Sequence, residues 1–128
     1  MVWYLDTSAF LKLIAFEDET SAMRKWFESH GPIWSSRLLQ TEAIRAGRRL
    51  GIDIDILSSA LDAVSMVMPA NTTFYTAGRL LPLGLRTLDA LHIATALEIG
   101  DELKALVAYD KRMIQAAEAS SIEVVTPS

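Results

Sequence analysis

Four of the sixteen carboxylate residues in this chain lie in segments that are too apolar for ordinary surface acids. Asp6 separates two apolar runs in VWYLDTSAFLKLI, and Asp89 lies in LDALHIATALEIG, where most neighbours are apolar. Glu42 lies at the edge of a predicted apolar helix stripe, and Asp110 follows the apolar segment ALVAY. Most of the remaining acids occur together in turns or on polar faces, which is typical of solvent-exposed carboxylates.

A carboxylate that is buried without compensation is costly and normally takes up a proton. If the four acids meet, they repel one another, and a bound cation is the simplest way for them to stay ionised. The chain has no cysteine and two histidines, so the ligands are mainly oxygens, which favours Mg²⁺ or Mn²⁺ over Zn²⁺. Such ions are often shared with substrate phosphates and activate water for in-line attack. Together the four acids therefore predict metal-dependent hydrolysis of a phosphodiester.

Each acid also has a simpler local explanation. Asp6 and Asp110 are suited to cap the helices that follow them, which contributes about 1 kcal/mol per cap. Asp89 near a helix N-terminus complements the helix dipole, and Glu42 is placed to pair with Arg45 three residues later. Taken singly, Glu42 and Asp110 favour these explanations, so the prediction of a site depends on the four acids meeting in space.

Two arginines and one histidine lie near the predicted site in sequence. Arg45 and Arg49 follow Glu42 by three and seven residues, on the same side of a predicted helix, and we predict that they contact the phosphates of a nucleic acid. A solvated helix face is an equal alternative for both. His92, one turn after Asp89, is interpreted as a histidine that is hydrogen-bonded inside a helical layer and is kept out of the catalytic set.

Strands and helices alternate along the sequence, and this order predicts which elements position the acids. The predicted strands are 2–5, 33–35, 65–69, 105–109 and 122–125; the predicted helices are about 7–16, 20–29, 36–50, 52–63, 72–81, 88–100 and 111–119, with Thr7 or Ser8, Ser35 or Ser36, and Thr87 as N-caps. Such alternation predicts an α/β fold with a parallel sheet and helices on both faces. Ligands bind beyond the carboxyl ends of the strands in such sheets, which is where Asp6 and Asp110 are expected.

Composition limits the class of protein. The chain has 128 residues, about half of them apolar, which fits a single domain over residues 1–128. The formal net charge of −4 argues against a generally basic surface for nucleic acid and leaves room for a local basic patch. The longest uncharged stretch, 63–78, contains Pro69 and Asn71 and is too short and polar for a membrane span. We expect a soluble cytoplasmic protein without a membrane partner.

Four segments in this order resemble the PIN-domain ribonucleases, specifically the VapC-type toxins of toxin–antitoxin modules. The segments are YLDTSAFLKL, QTEAIRA, LRTLDALHIATAL and LVAYDKRMIQAA, and the resemblance covers essentially the whole chain. It implies a three-layer α/β/α domain with a central parallel sheet, commonly a homodimer. It further implies a Mg²⁺- or Mn²⁺-dependent endoribonuclease whose partners are an RNA substrate and a cognate antitoxin protein, which we expect to cover the site with a basic side chain.

The resemblance also implies roles for individual residues. Asp6 and Asp89 match the acids most regularly assigned to the metal, and Glu42 and Asp110 match the remaining acids of the same catalytic cluster. Ser8 matches a hydroxyl position that often supports the site, and we place it with the substrate-binding residues.

Three other functions remain as alternatives. Where VapC-type toxins often have Thr or Ser two residues before the fourth acid, this chain has Ala108, which removes a possible hydroxyl contact to Asp110. One alternative function is an inactive PIN-like module that binds a protein partner, although the four intact acids argue against it. A phosphate-accepting receiver domain would need a second acid beside Asp6, and a haloacid-dehalogenase-like phosphatase would need Asp-x-Asp where this chain has DTS. Both therefore rank below the nuclease.

Overall fold

Five strands and seven helices alternate along the chain in the computed structural model, which describes residues 1–128. The strands are β1 (Val2–Leu5), β2 (Ile33–Ser36), β3 (Ser65–Val67), β4 (Leu103–Val107) and β5 (Val124–Val125). The helices are α1 (Thr7–Ile14), α2 (Thr20–Ser29), α3 (Leu38–Arg49), α4 (Ile54–Leu61), α5 (Asn71–Arg79), α6 (Thr87–Ile99) and α7 (Lys111–Ala119), and a short 3₁₀ helix (Gly100–Glu102) precedes β4. Each predicted element is present with bounds that differ by a few residues.

All five strands are parallel and form one sheet in the order β3-β2-β1-β4-β5. In β1, Trp3 lies opposite Ile33 of β2 on one side and Ala105 of β4 on the other. The chain first builds outward from β1 through β2 to β3 and later returns to the other side of β1. The order therefore reverses at β1, and a crevice is expected there beyond the carboxyl ends of the strands.

Helices cover both faces of this sheet. Leu5 and Val107 pack in the core cluster that also contains buried residues of α1, α2, α3 and α4. Their neighbours Tyr4 and Leu106 point to the opposite side and pack with residues of α6 and α7. Because successive side chains of a strand alternate between faces, the central strands β1 and β4 are buried on both sides. The predicted three-layer α/β/α architecture is confirmed.

Helix α6 is buried over most of its length, as its apolar sequence predicts. Seven consecutive residues, Ala90–Ala96, are buried, because the helix packs against the sheet on one side and against α5 on another. A helix that is fixed in this way holds its first turn, which carries Asp89, in a defined position. Neither α6 nor any other helix is long and apolar enough to span a membrane.

The three predicted helix N-caps differ from those in the structure. Helix α1 is capped by Asp6 rather than by Thr7 or Ser8, because the Asp6 carboxylate accepts a hydrogen bond from the backbone N–H of Ser8. Helix α6 has Arg86 at its N-cap, where no side chain caps the helix, and Thr87 is the first helical residue. Helix α3 has Arg37 at its N-cap rather than Ser35 or Ser36, but the Ser36 hydroxyl accepts a hydrogen bond from the backbone N–H of Leu38, the first residue of α3.

The apolar stripe on α3 also differs from the prediction. Leu39 and Ala43 are fully buried, but Leu50 is 59% exposed and Ala46 is half-buried. Gly47 takes the buried position one turn after Ala43, which continues the stripe at intervals of four residues. Helix α4 crosses α3 closely at this glycine: a Cβ atom on Gly47 would lie 2.8 Å from Cδ1 of Leu57, so the buried Leu57 side chain would have to move.

This contact predicts opposite effects for two Gly→Ala substitutions in helices. Gly47→Ala is expected to lower the free energy of unfolding by about 1 to 2 kcal/mol, because the energetic cost of overpacking the core is larger than the stabilisation from the higher helix propensity of alanine. Gly78→Ala in α5 is the matched control, since a Cβ there meets no atom within 4 Å, and it should raise the free energy of unfolding by about 0.5 kcal/mol. Urea denaturation of both variants measures the difference, and a stabilised Gly47→Ala variant would contradict it.

Candidate active site

The four predicted acids line one cleft at the carboxyl edge of the sheet. Asp6 follows β1 directly, Asp110 lies three residues beyond β4, Glu42 projects from α3, and Asp89 projects from the first turn of α6. The remaining residues that line the cleft are Thr7, Ser8, Leu11, Arg86, Thr87 and Leu88. The fold therefore brings together acids from four separate segments at the point where the strand order reverses.

Asp6 and Ser8 tie the ends of β1 and β4 together. The Ser8 hydroxyl donates to Oδ2 of Asp6 at 2.8 Å and accepts from the backbone N–H groups of Tyr109 at 2.9 Å and Asp110 at 3.3 Å. The backbone N–H of Asp6 donates to the carbonyl of Val107. With one hydrogen donated and two bonds accepted, the Ser8 hydroxyl has no bonding capacity left. Its contacts support the role of a brace for Asp6 and Asp110, and a contact between Ser8 and substrate stays a prediction.

Burial dominates the electrostatics of Asp6, which is 4% exposed. Removal from water raises the pKa of the Asp6 carboxyl above its ordinary range. His92 and the two hydrogen bonds from Ser8 lower this pKa again, but the shift remains upward, and the nearby charge of Asp89 adds to it. The ionised form of Asp6 is therefore unfavourable in the folded protein unless a further positive charge lies close to it.

Glu42 is held by two donors on the same oxygen. The Thr7 hydroxyl donates to Oε1 of Glu42 at 3.0 Å, and Nε2 of His92 lies 2.5 Å from the same atom. Burial alone would raise the pKa of Glu42, but its bonds to His92 and Thr7 and the charge of His92 bring it below the ordinary value. Burial alone would lower the pKa of His92, but the bond to Glu42 and the charges of Asp6 and Asp89 raise it.

Asp110 and Asp89 share one arginine. Oδ1 of Asp110 caps α7 by accepting from the backbone N–H groups of Arg112 at 2.9 Å and Met113 at 3.1 Å. Arg86 donates from Nη2 to Oδ2 of Asp110 at 3.4 Å and from Nε to Oδ2 of Asp89 at 2.8 Å. Burial acts to raise the pKa of Asp110, but the backbone donors and Arg86 lower it below the ordinary value.

The local roles of the acids coexist with their shared cleft. Asp6 and Asp110 are N-caps, as the simpler explanation has it, whereas Glu42 pairs with His92 and forms no salt bridge with Arg45. Ala108, where a hydroxyl residue would have been expected, is fully buried. Asp110 is held without a hydroxyl at that position: its carboxylate caps α7 and pairs with Arg86, and its backbone N–H donates to Ser8.

Each of three carboxylates is held through one oxygen only. Oδ1 of Asp6, Oε2 of Glu42 and Oδ1 of Asp89 accept no hydrogen bond from the protein. Because no buried side-chain polar atom lacks a partner, these oxygens are open to the cleft. No group of three such side chains is close enough to enclose an ion as they stand. The donor set therefore suits an ion that uses one or two carboxylates and fills its other positions with water or phosphate, as Mg²⁺ does.

The structure separates the predicted arginines from the cleft and adds other residues to it. Arg45 and Arg49 are exposed on α3, form no hydrogen bond or salt bridge, and do not line the cleft. Arg86, which bonds to Asp89, was not among the predicted site residues, and His92 was kept out of the catalytic set. Arg86, at the N-cap of α6, precedes Asp89 by three residues and His92 follows it by three, and that spacing was the available signal.

The raised pKa of Asp6 predicts that this residue destabilises the metal-free protein. Asp6→Asn keeps the helix cap and removes the charge, so we expect it to unfold at a higher temperature than wild type in EDTA at pH 8. Since the folded protein holds the Asp6 proton more tightly than the unfolded chain, the penalty is absent below about pH 4 and grows as pH rises through the folded-state pKa. Thermal unfolding at pH 8 and pH 4 tests this, with Asp101→Asn, an exposed acid, as the control. An Asp6→Asn variant less stable than wild type at pH 8 would contradict it.

Comparisons with known proteins agree with this fold. The sequence profile of the PIN domain family matches residues 3–119. Ribonuclease VapC46 of Mycobacterium tuberculosis is 37% identical, with 98% of this chain and 97% of the relative covered. Ribonuclease VapC35 of the same species is 38% identical, with 97% and 96% covered. Among solved structures, VapC20 of M. tuberculosis, described as a sarcin-ricin loop cleaving toxin, superposes with a TM-score of 0.78 at 17% identity over 98% of this chain and 99% of that one.

Proposed function

We propose that this chain, which belongs to the PIN domain family, is a metal-dependent endoribonuclease and the toxin of a toxin–antitoxin pair. The observation that carries the proposal is the meeting of Asp6, Glu42, Asp89 and Asp110 in one cleft. Relatives that are named ribonucleases cover nearly the whole chain at 37% and 38% identity. We propose that the whole chain forms one catalytic domain that acts in the cytoplasm.

We propose that Mg²⁺ or Mn²⁺ takes its protein ligands from these four acids, with one or two carboxylates for each ion. The open oxygens of Asp6, Glu42 and Asp89 are hard ligands of the kind that these ions prefer. An ion bound there would polarise the phosphoryl group and lower the pKa of a water molecule. The chain itself contributes a rigid set of acceptors: Ser8 and the helix caps fix the carboxylates in advance, so that little reorganisation is needed when the ion and the RNA bind.

A guanidinium already lies against two of these acids. Arg86 contacts Asp89 and Asp110 from a half-exposed position, so these carboxylates already bind one basic side chain of the chain itself. We propose that an antitoxin covers the site by presenting a basic side chain of its own to the same carboxylates. The proposed partners are thus the RNA substrate, this antitoxin and a second copy of the chain in a homodimer.

The proposal is tested by cleavage of a mixed structured RNA with purified protein. We expect cleavage with Mg²⁺ or Mn²⁺, none in EDTA, and recovery when the ion is restored in excess. Asp89→Asn, confirmed as folded by circular dichroism, should be inactive, and Asp101→Asn should cleave like wild type. If wild type does not cleave RNA and binds neither ion, the alternative of an inactive PIN-like binding module replaces this proposal.

We further propose that Arg45 and Arg49 contact the RNA backbone outside the cleft. Removing two contacts to single-stranded RNA should reduce the slope of log affinity against log salt concentration by about 1.4. The measurement is fluorescence anisotropy of the Arg45→Ala/Arg49→Ala variant with labelled RNA at several salt concentrations. Lys25→Ala/Lys104→Ala removes the same charge from exposed positions elsewhere and should leave the slope unchanged. If the slope of log affinity against log salt concentration is equal in the two double variants, Arg45 and Arg49 do not contact the RNA and belong to an ordinary solvated helix face.

A further inference from the structure

A chain of buried hydrogen bonds leads from the core of the domain to one acid of the cleft. Tyr4 on β1 and His92 on α6 are both fully buried. The Tyr4 hydroxyl lies 2.7 Å from Nδ1 of His92, and Nε2 of His92 lies 2.5 Å from Oε1 of Glu42 on α3. Three elements that are distant in sequence thus meet in one polar line beneath the cleft.

The hydrogen-bonding capacity of the three side chains determines which group donates in each bond. An ionised carboxylate only accepts hydrogen bonds, so Nε2 of His92 carries the hydrogen and donates to Glu42. In the neutral imidazole, Nδ1 is then an acceptor, and the Tyr4 hydroxyl is its donor. Glu42 therefore sets this His92 tautomer, and the bond from the Tyr4 hydroxyl to Nδ1 holds the imidazole ring in place.

The contacts at Glu42 show what this arrangement achieves. His92 and Thr7 both bond to Oε1, from opposite sides in sequence, and Oε2 accepts no hydrogen bond from the protein. A carboxylate that is held through one oxygen cannot rotate freely about its Cγ–Cδ bond, so the other oxygen stays directed to the cleft. The Glu42 side chain is 21% exposed, which leaves Oε2 accessible.

We propose that His92, oriented by Tyr4, is a positioning residue that fixes Glu42 so that Oε2 serves as a ligand for a divalent cation. This proposal rests on the proposed function of the cleft as a metal site. The competing explanation is that the line only satisfies polar groups in the core. That explanation predicts loss of stability when His92 or Tyr4 is replaced, without a change in the affinity of the folded protein for the ion.

Two substitutions of His92 separate these explanations. In His92→Gln, the carboxamide nitrogen reaches approximately the place of Nε2 and can still donate to Glu42. In His92→Asn, the shorter side chain reaches only the place of Nδ1, so the contact with Tyr4 is kept and the donor to Glu42 is lost. Tyr4→Phe keeps the aromatic ring in the core and removes the hydroxyl, and it carries the test if His92→Asn does not fold.

The measurement is isothermal titration of each metal-free, folded protein with Mn²⁺. We expect His92→Asn to bind Mn²⁺ about 10- to 100-fold more weakly, Tyr4→Phe to be weakened by a smaller factor, and His92→Gln to bind within a few-fold of wild type. His30→Gln, which changes the exposed histidine outside the cleft, should have no effect. With RNA, kcat of His92→Asn should fall while KM is unchanged, because the residue does not reach the substrate.

The outcomes distinguish this inference from the proposed function. Wild-type Mn²⁺ affinity in folded His92→Asn or in Tyr4→Phe overturns the positioning role, even if RNA is cleaved. If wild type binds Mn²⁺ and His92→Asn does not, but neither cleaves RNA, the positioning role stands and the proposed function fails. If wild type does not bind Mn²⁺, both are overturned.

Discussion

Asp6→Asn is expected to lower the rate of RNA cleavage by about a thousandfold, which is the upper end of the effect of losing one preorganised charged group. The substitution removes the charge from the most buried of the four acids and replaces one potential ligand oxygen by an amide. It keeps the size of the side chain and the cap of α1, because Asn is as good an N-cap as Asp. The loss should therefore appear in kcat without a loss of structure.

The control for this prediction is the stability of the same variant. Because the metal-free Asp6→Asn protein is expected to be at least as stable as wild type at pH 8, inactivity cannot be attributed to unfolding. Single-turnover cleavage of RNA by wild type, Asp6→Asn and Asp101→Asn, with matched circular dichroism spectra, measures the effect. Cleavage by Asp6→Asn within tenfold of wild type would remove Asp6 from the active site.

The sequence predicted the sheet and the position of Asp6 and Asp110 at its edge because both follow from local patterns. Short apolar strands that alternate with helices specify a parallel sheet, and an acid directly after a strand is placed at its carboxyl edge. For Asp6 this needed no knowledge of distant contacts. Asp89 could be predicted because its helix is apolar on nearly every side, so that a charged residue in the first turn stands out.

What the sequence did not predict depends on tertiary contacts. Gly47 takes its buried place on α3 because α4 crosses there, a contact that no periodicity within α3 encodes. The roles of Thr7 and His92 depend on the approach of α1, α3 and α6, which brings two donors to the same oxygen of Glu42. A histidine in an apolar helix is compatible with many partners until the fold selects one.

Arg86 forms ion pairs with two acids of the cleft, and its positive charge also opposes the binding of a cation to them. Its guanidinium bonds to Asp89 and Asp110, and these ion pairs raise the pKa of Arg86 further above its ordinary value. The side chain of Arg86 is 55% exposed, so the pairs contribute little to folding. A divalent cation bound to the same carboxylates would, however, be repelled by the fixed positive charge of Arg86. At about 5 Å in water, that repulsion amounts to about 1.5 kcal/mol.

Arg86→Gln is therefore expected to bind Mn²⁺ roughly tenfold more tightly than wild type, since about 1.4 kcal/mol corresponds to a factor of ten. Glutamine can still donate a hydrogen bond to Asp89, so the substitution removes the charge and retains a donor. Isothermal titration at low ionic strength measures the affinity, and the gain should shrink in high salt because screening weakens the repulsion. Arg48→Gln, an exposed arginine outside the cleft, controls for the change in net charge. If Arg86→Gln instead bound Mn²⁺ more weakly than this control, the main role of Arg86 would be to position the acids for the ion rather than to compete with it.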